Sequence, residues 1–153
     1  MRPRSSTPRA SRIARPIRRE TKESPLSSPI NWVDLTVDDA ETVRDFYVAV
    51  AGWRVEPVSM GDYEDYSLCT AEGQPVAGVC HARGSNTGLP TQWLIYITVE
   101  DLDAAIAACE AHGGRMVRDP APLMGGRMCV LADPAGAVAA YYQPAATDGT
   151  GPR

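Results

Sequence analysis

Histidine is almost missing from this 153-residue chain: only His81 and His112 are present. A Ser-His-Asp relay or a histidine-rich metal centre therefore has little material to work with. The four cysteines, Cys69, Cys80, Cys109 and Cys129, stand far apart with no Cys-x-x-Cys pair. That argues against a structural zinc site or a disulfide scaffold, and it suits a reducing cytoplasm. No secretory apolar segment is present, and no apolar run approaches the roughly 18 residues a membrane helix needs. The sequence thus predicts a water-soluble protein, not an integral membrane one. Phosphate-cradling loops are lacking too: no Gly-x-Gly-x-x-Gly follows a strand, and no P-loop pattern occurs. Positive charge is scarce beyond residue 29, where seven basic side chains face seventeen acidic ones. A body this acidic is a poor holder of a phosphate backbone.

What the body lacks in basic charge, residues 1–29 supply, with eight basic and two acidic side chains, five of the thirteen prolines and no aromatic residue. Such a segment buries too little apolar area to offset its ordering entropy, so its composition predicts a disordered tail. Three readings stay open: an unselected or merely solvated extension, a basic arm for nucleic acid or acidic lipid, and a transit peptide. Against the last, Pro3, Pro8 and Pro16 interrupt any amphipathic helix. Any contact with nucleic acid falls to this tail. Residues 144–153 read as a second frayed end, which leaves one domain over 30–143, long enough to bury a core.

Inside that domain the pattern repeats. INWVDLTV (30–37) reads as a strand and precedes a helical stretch at 38–52, while WLIYITVE (93–100) precedes another at 101–114. Asp39 and Asp101 are placed to cap the two helices, and Gly52 and Gly113 to end them. Val43, Phe46, Tyr47 and Val50 in the first helix, and Leu102, Ala105, Ile106 and Cys109 in the second, form stripes that should lie on a sheet. Three strand-like runs follow the first helix (53–60, 63–71, 75–82), and three follow the second (115–121, 128–132, 137–143). Turns at Gly73 and Gly136 precede the last run of each half. The chain reads as an α+β domain built of two βαβββ modules, about 30–82 and 93–143.

This order resembles the vicinal oxygen chelate superfamily of glyoxalases, bleomycin-resistance-type binding proteins and extradiol dioxygenases. The resemblance rests on Val37-x-Asp39-x6-Phe46-Tyr47-x4-Gly52-Trp53, on Asp133-Pro134-x-Gly136, and on the repeat itself. It implies a mixed sheet curled around a cleft, and pairing of two chains into a homodimer. It also implies metal ligands on the first and last strand of each half, at the positions filled here by Trp32, Leu94, Ala77 and Ala140. None of these side chains, nor the neighbours Trp93, Gly78 and Ala139, can coordinate zinc, nickel or iron, and Tyr141 is a poor donor. The expectation is therefore a member with no metal and no cofactor.

Alternation along the strands sorts what faces the cleft. Trp32, Asp34 and Thr36 share one face of the first strand, and Leu94, Tyr96 and Thr98 share one face of the fifth. Ala140 and Tyr142 share a face of the last, and Tyr66 lies by an acidic, aromatic loop (60–67) that could act as a lid favouring a cation. The expected ligand contacts are Trp32, Asp34, Tyr66, Leu94, Tyr96, Ala140 and Tyr142, a lining that suits a small, largely apolar or aromatic molecule. The alternative is a metal-independent glyoxalase-like lyase or isomerase with Asp34 as general base. Against a Cys80–His81 pair stands their adjacency in one strand, which points them to opposite faces. His112 suits the C-terminal end of the second helix and needs no further role. The segments 83–90 and 122–127 border the cleft mouth, the latter with two glycines that allow flexing.

Overall fold

The computed structural model describes residues 29–146, so the predicted tails fall outside the described residues except for Pro29 and positions 144–146. Ten elements follow one another: β1 (Ile30–Val37), α1 (Ala40–Ala51), β2 (Arg54–Ser59), β3 (Glu64–Cys69), β4 (Pro75–His81), β5 (Trp93–Thr98), α2 (Leu102–Ala111), β6 (Arg115–Leu123), β7 (Gly126–Ala132) and β8 (Val138–Gln143). A single 3-10 turn at Gly84–Asn86 lies in the segment joining the halves. The βαβββ repeat is present in both halves.

All eight strands form one open, mixed sheet in the order β2-β3-β4-β1-β5-β8-β7-β6. Each helix carries the chain across so that β1 runs parallel to β4 and β5 parallel to β8. The two modules meet at the centre, where β1 and β5 pair antiparallel with Trp32 opposite Tyr96 and Asp34 opposite Leu94. Both helices start as the sequence predicts. Asp39 accepts from the Thr42 backbone N–H at 3.0 Å, and Asp101 from that of Ala104 at 3.0 Å. Gly52 closes α1 with a left-handed φ of 69°, a conformation that a Cβ would penalise.

One predicted stripe is corrected. In α1, Ala40, Val43 and Tyr47 pack against Leu35, Val37, Leu68 and Val79, whereas Phe46 and Val50 are exposed, at 56% and 67%. The docked face centres on Ala40 and Tyr47, and Phe46 lies about a quarter turn away from it. The Trp93 indole N–H, donating to the Tyr47 hydroxyl at 3.0 Å, fixes that rotation. Under α2 the expected stripe holds, with Leu102, Ile106 and Cys109 meeting Cys129 and Leu131. A second difference concerns 122–127: β6 runs on through Leu123, and Met124 and Gly125 form a two-residue hairpin tip with φ of 47° and 79°. Positive φ at both positions is the turn that matches strand twist, so this stretch is a tight hairpin.

Candidate functional site

The concave face of the sheet is unequal in its two halves. On the β5–β8 side, Leu94, Met128, Val130 and Ala140 pack into a closed apolar cluster with Tyr96 and Tyr142 at its border. The β1–β4 side presents small or polar groups instead and stays open. A cavity of about 450 Å³ lies between, lined by Asn31, Trp32, Asp34, Tyr96, Leu123, Met124 and Tyr142. A second lobe of about 300 Å³ continues over β3 and β4, past Asp65, Ser67, Gly78 and Cys80, and shares Trp32, Asp34, Tyr96 and Leu123 with the first.

Asp34 stands at the junction of the lobes. The Trp32 indole N–H, two residues away on the same face, donates to Asp34 Oδ1 at 2.5 Å, and the Tyr96 side chain bonds the same carboxylate. Gly78 lies directly opposite Asp34 in the β1–β4 pair. A Cβ at that position would overlap Asp34 Oδ1, so the lack of a side chain there is what seats the carboxylate. Burial pushes the Asp34 pKa above the ordinary carboxylate value, and nearby Asp65 adds to the rise, while the bonds from Trp32 and Tyr96 oppose it. Burial, then the charge of Asp34, raises the Tyr96 phenol in turn. Cys80 is also pushed up, by burial and by both carboxylates, so its thiol stays protonated and unreactive at neutral pH.

The predicted contacts separate into groups. Trp32, Asp34, Tyr96 and Tyr142 come together around the cavity. Leu94 and Ala140 sit on the same face but are 4% and 0% exposed, packed beneath the site as its floor. Tyr66 borders the second lobe, yet its ring packs among Leu35, Val37 and Leu68 on the helix side, under the Arg44 guanidinium at 4.5 Å. Alternation along β3 explains the difference: Tyr66 and Leu68 share the helix face, which turns Asp65 and Ser67 toward the cleft. Asp65, 5% exposed, accepts the His81 backbone N–H at 2.8 Å and lies 3.3 Å from His81 Nδ1. The sequence reading has Asp65 only within the 60–67 loop and Leu123 and Met124 only within 122–127, and it does not place Asn31 in the cleft; counting in twos back from Cys69 puts Asp65 on the cleft face.

The metal positions implied by the resemblance need one change of register. Asp34 pairs with Gly78 and Tyr96 with Ala140, so Gly78, not Ala77, is the counterpart of Ala140. The shift comes from a bulge at Val76, since Leu68 faces Ala77 while Cys69 faces Pro75. The four positions thus hold Trp32, Gly78, Leu94 and Ala140, which offer no lone pair that binds a metal. Asp34, Asp65 and Cys80 are close by, but no group of three His, Cys, Asp or Glu side chains among the described residues is placed to hold an ion. The donor set does not fit the superfamily's metal.

Paired βαβββ modules around an open, aromatic cleft place the protein in the vicinal oxygen chelate class. Within it, the chain belongs to the glyoxalase-like domain family, whose family model matches residues 32–140. Among curated relatives, the anthracycline biosynthesis protein DnrV of Streptomyces peucetius is 30% identical over 131 residues, covering 77% of this chain and 48% of its own length. CFP32 of Mycobacterium tuberculosis, named a glyoxylase, is 36% identical over 118 residues, covering 74% of this chain and 44% of its own. The chain spans about half the length of these relatives. Among solved structures, a methylmalonyl-CoA epimerase variant of Streptomyces coelicolor has a TM-score of 0.51 at 19% identity, over 79% of this chain and 97% of that one. The epimerase of Mycobacterium tuberculosis gives 0.51 at 16%, over 83% and 95%. These two similarities establish the fold. No helix among the described residues is long and apolar enough to cross a membrane.

Proposed function

We propose that this protein binds a small, largely apolar or aromatic organic molecule in its cleft, without the superfamily's metal. The observation that carries the reading is the cavity where Trp32, Tyr96 and Tyr142 meet around a single central carboxylate, while the metal positions hold carbon and indole. Its volume is within the range of small-ligand pockets, and rings with a few fixed polar groups are the usual lining of such sites. The similarity to a protein of anthracycline biosynthesis points the same way, because anthracyclines are flat aromatic molecules. A naphthalene- or anthraquinone-sized probe should bind with quenching of tryptophan emission, and Trp32→Ala should weaken it by about tenfold. Unchanged affinity in that variant would sink the reading.

One observation favours catalysis as the second reading: Asp34 is a partly buried base with a raised pKa bonded to a phenol, the arrangement a proton-abstracting lyase or isomerase uses. Asp34→Asn separates the two, since turnover would vanish while binding of an uncharged aromatic ligand would persist. A cytoplasmic setting is part of the proposal, supported by four free thiols among the described residues. So is pairing with a second copy. The exposed Phe46 lines a groove with Leu35, Val37, Val43 and Trp93, Val50 is exposed on the same helix, and the relatives carry about as much chain again. Light scattering should report a dimer that Phe46→Asp converts to monomer, and a wild-type monomer at high concentration would refute the pairing.

A further inference from the structure

We infer that the ligand of this cleft is an organic cation, a protonated amine on a flat apolar body, with its ammonium against Asp34 and its body on Trp32, Tyr96 and Tyr142. The inference rests on the small-molecule reading above and names the class of molecule that reading leaves open. It starts from an imbalance of charge. The walls of the two lobes contain two carboxylates, Asp34 and Asp65, and no lysine, arginine or histidine. Every ion pair among the described residues uses another acid or, in the case of Asp65, the ring of His81. Asp34 has only neutral donors, the Trp32 indole and the Tyr96 hydroxyl.

A carboxylate has about four lone-pair directions, so two donors leave acceptor capacity on the cavity side. Those donors favour the ionised form and hold its orientation, but they bring no compensating charge. A partly buried carboxylate without a counter-charge is unfavourable, and an incoming cation relieves that cost where a neutral or anionic ligand does not. The surroundings reinforce the preference. Asp34 is faced by Tyr96 from β5 and by Cys80 and Asp65 from β4 and β3, and both thiol and phenol are held neutral. Arg118 on β6 acts on the Tyr96 phenol, and no ion pair among the described residues joins it to Asp34. The ring faces of Trp32 and the two tyrosines carry negative quadrupole potential, which attracts an ammonium as well as a flat apolar body.

The test compares three probes of one shape and different charge by titration calorimetry on the full chain at pH 7.5: 2-(1-naphthyl)ethylamine, 2-(1-naphthyl)ethanol and 1-naphthylacetate. The expected order is amine, then alcohol, then acid, with the amine at least about tenfold tighter than the alcohol. Asp34→Asn should bring the amine-to-alcohol ratio of affinities from about tenfold to within about threefold, whatever its effect on the alcohol alone. In the unaltered protein the amine should weaken as pH falls through the titration of Asp34, while the alcohol should not, so the inference stays testable if the variant does not fold. Equal binding of amine and alcohol by the wild-type protein would overturn the cationic ligand and leave the aromatic cleft standing. Failure of all three probes to bind would overturn both.

Discussion

Gly78→Ala tests the central geometry of the cleft with a single methyl group. The added Cβ overlaps Asp34 Oδ1 and comes within 3.3 Å of Asp34 Cγ, while its distance of 3.7 Å to Trp32 Cζ2 is ordinary contact. Asp34 must therefore rotate away, because the β1–β4 pairing of Asp34 with Gly78 holds both backbones in register. Rotation breaks the bond from Trp32 and disturbs that from Tyr96. A hydrogen bond to a charged group contributes roughly 1.5–3 kcal/mol, and an off-rotamer side chain costs roughly 0.5–1.5 kcal/mol. The expected destabilisation is about 2–4 kcal/mol, or a fall in Tm of roughly 8–15 °C for a folded domain of this size. Urea denaturation followed by tryptophan emission reads both the stability and the changed environment of Trp32. In an Asp34→Ala background the same substitution should cost less than about 0.5 kcal/mol, since the clash has gone. An equal cost in both backgrounds would refute the reasoning, because the penalty would then lie in the strand and not in the carboxylate.

Two further outcomes concern Asp34 and the β6–β7 hairpin tip. Asp34 has its pKa raised in the folded state, so its charge opposes folding above that raised value, and the penalty is relieved as pH falls through it toward the ordinary 3.8. Asp34→Asn should thus be more stable than wild type at pH 7–8 and lose that advantage on acidification; a constant gap from pH 8 to 4 in chemical denaturation would contradict this. Met124 holds a φ of 47° at the β6–β7 hairpin tip, where a side chain is disfavoured by roughly 1 kcal/mol. With its side chain 87% exposed, Met124→Gly should raise Tm by a few degrees in calorimetry, and a fall would show that the methionine makes a contact worth more than the strain.

The architecture was legible because it is written twice. Asp39 and Asp101 each cap a helix after a strand of alternating pattern, and spacing alone placed both modules. The cleft was legible where alternation is unbroken, at Trp32, Asp34 and Tyr96. It failed at two kinds of place. The Val76 bulge inserts one residue between the Gly73 turn and the last strand of the first module, which displaced the count to Ala77. No local signal marks such an insertion, because it depends on the partner strand. Tyr66 borders the second lobe from the helix side of β3, a parity that was not legible because the loop read at 60–67 overlaps the start of that strand at Glu64. The rotation of α1, set by the bond between Trp93 and Tyr47 from the other module, is likewise a tertiary choice that helical periodicity cannot contain.

The central position of β1 has a consequence for how the protein is made. Among the eight strands it is synthesised before the other seven, yet both its partners are distant in sequence: Thr36 pairs with Cys80, and Asp34 with Leu94. At roughly 5–20 residues per second, several seconds of translation pass before β5 can close the second edge. During that interval an apolar strand with Trp32, Val33 and Leu35 has an unpaired side, the kind of edge that invites pairing with another nascent chain. Cytoplasmic expression should therefore be more sensitive to synthesis rate than the stability of the finished sheet suggests, and slower translation at low temperature should raise the soluble yield.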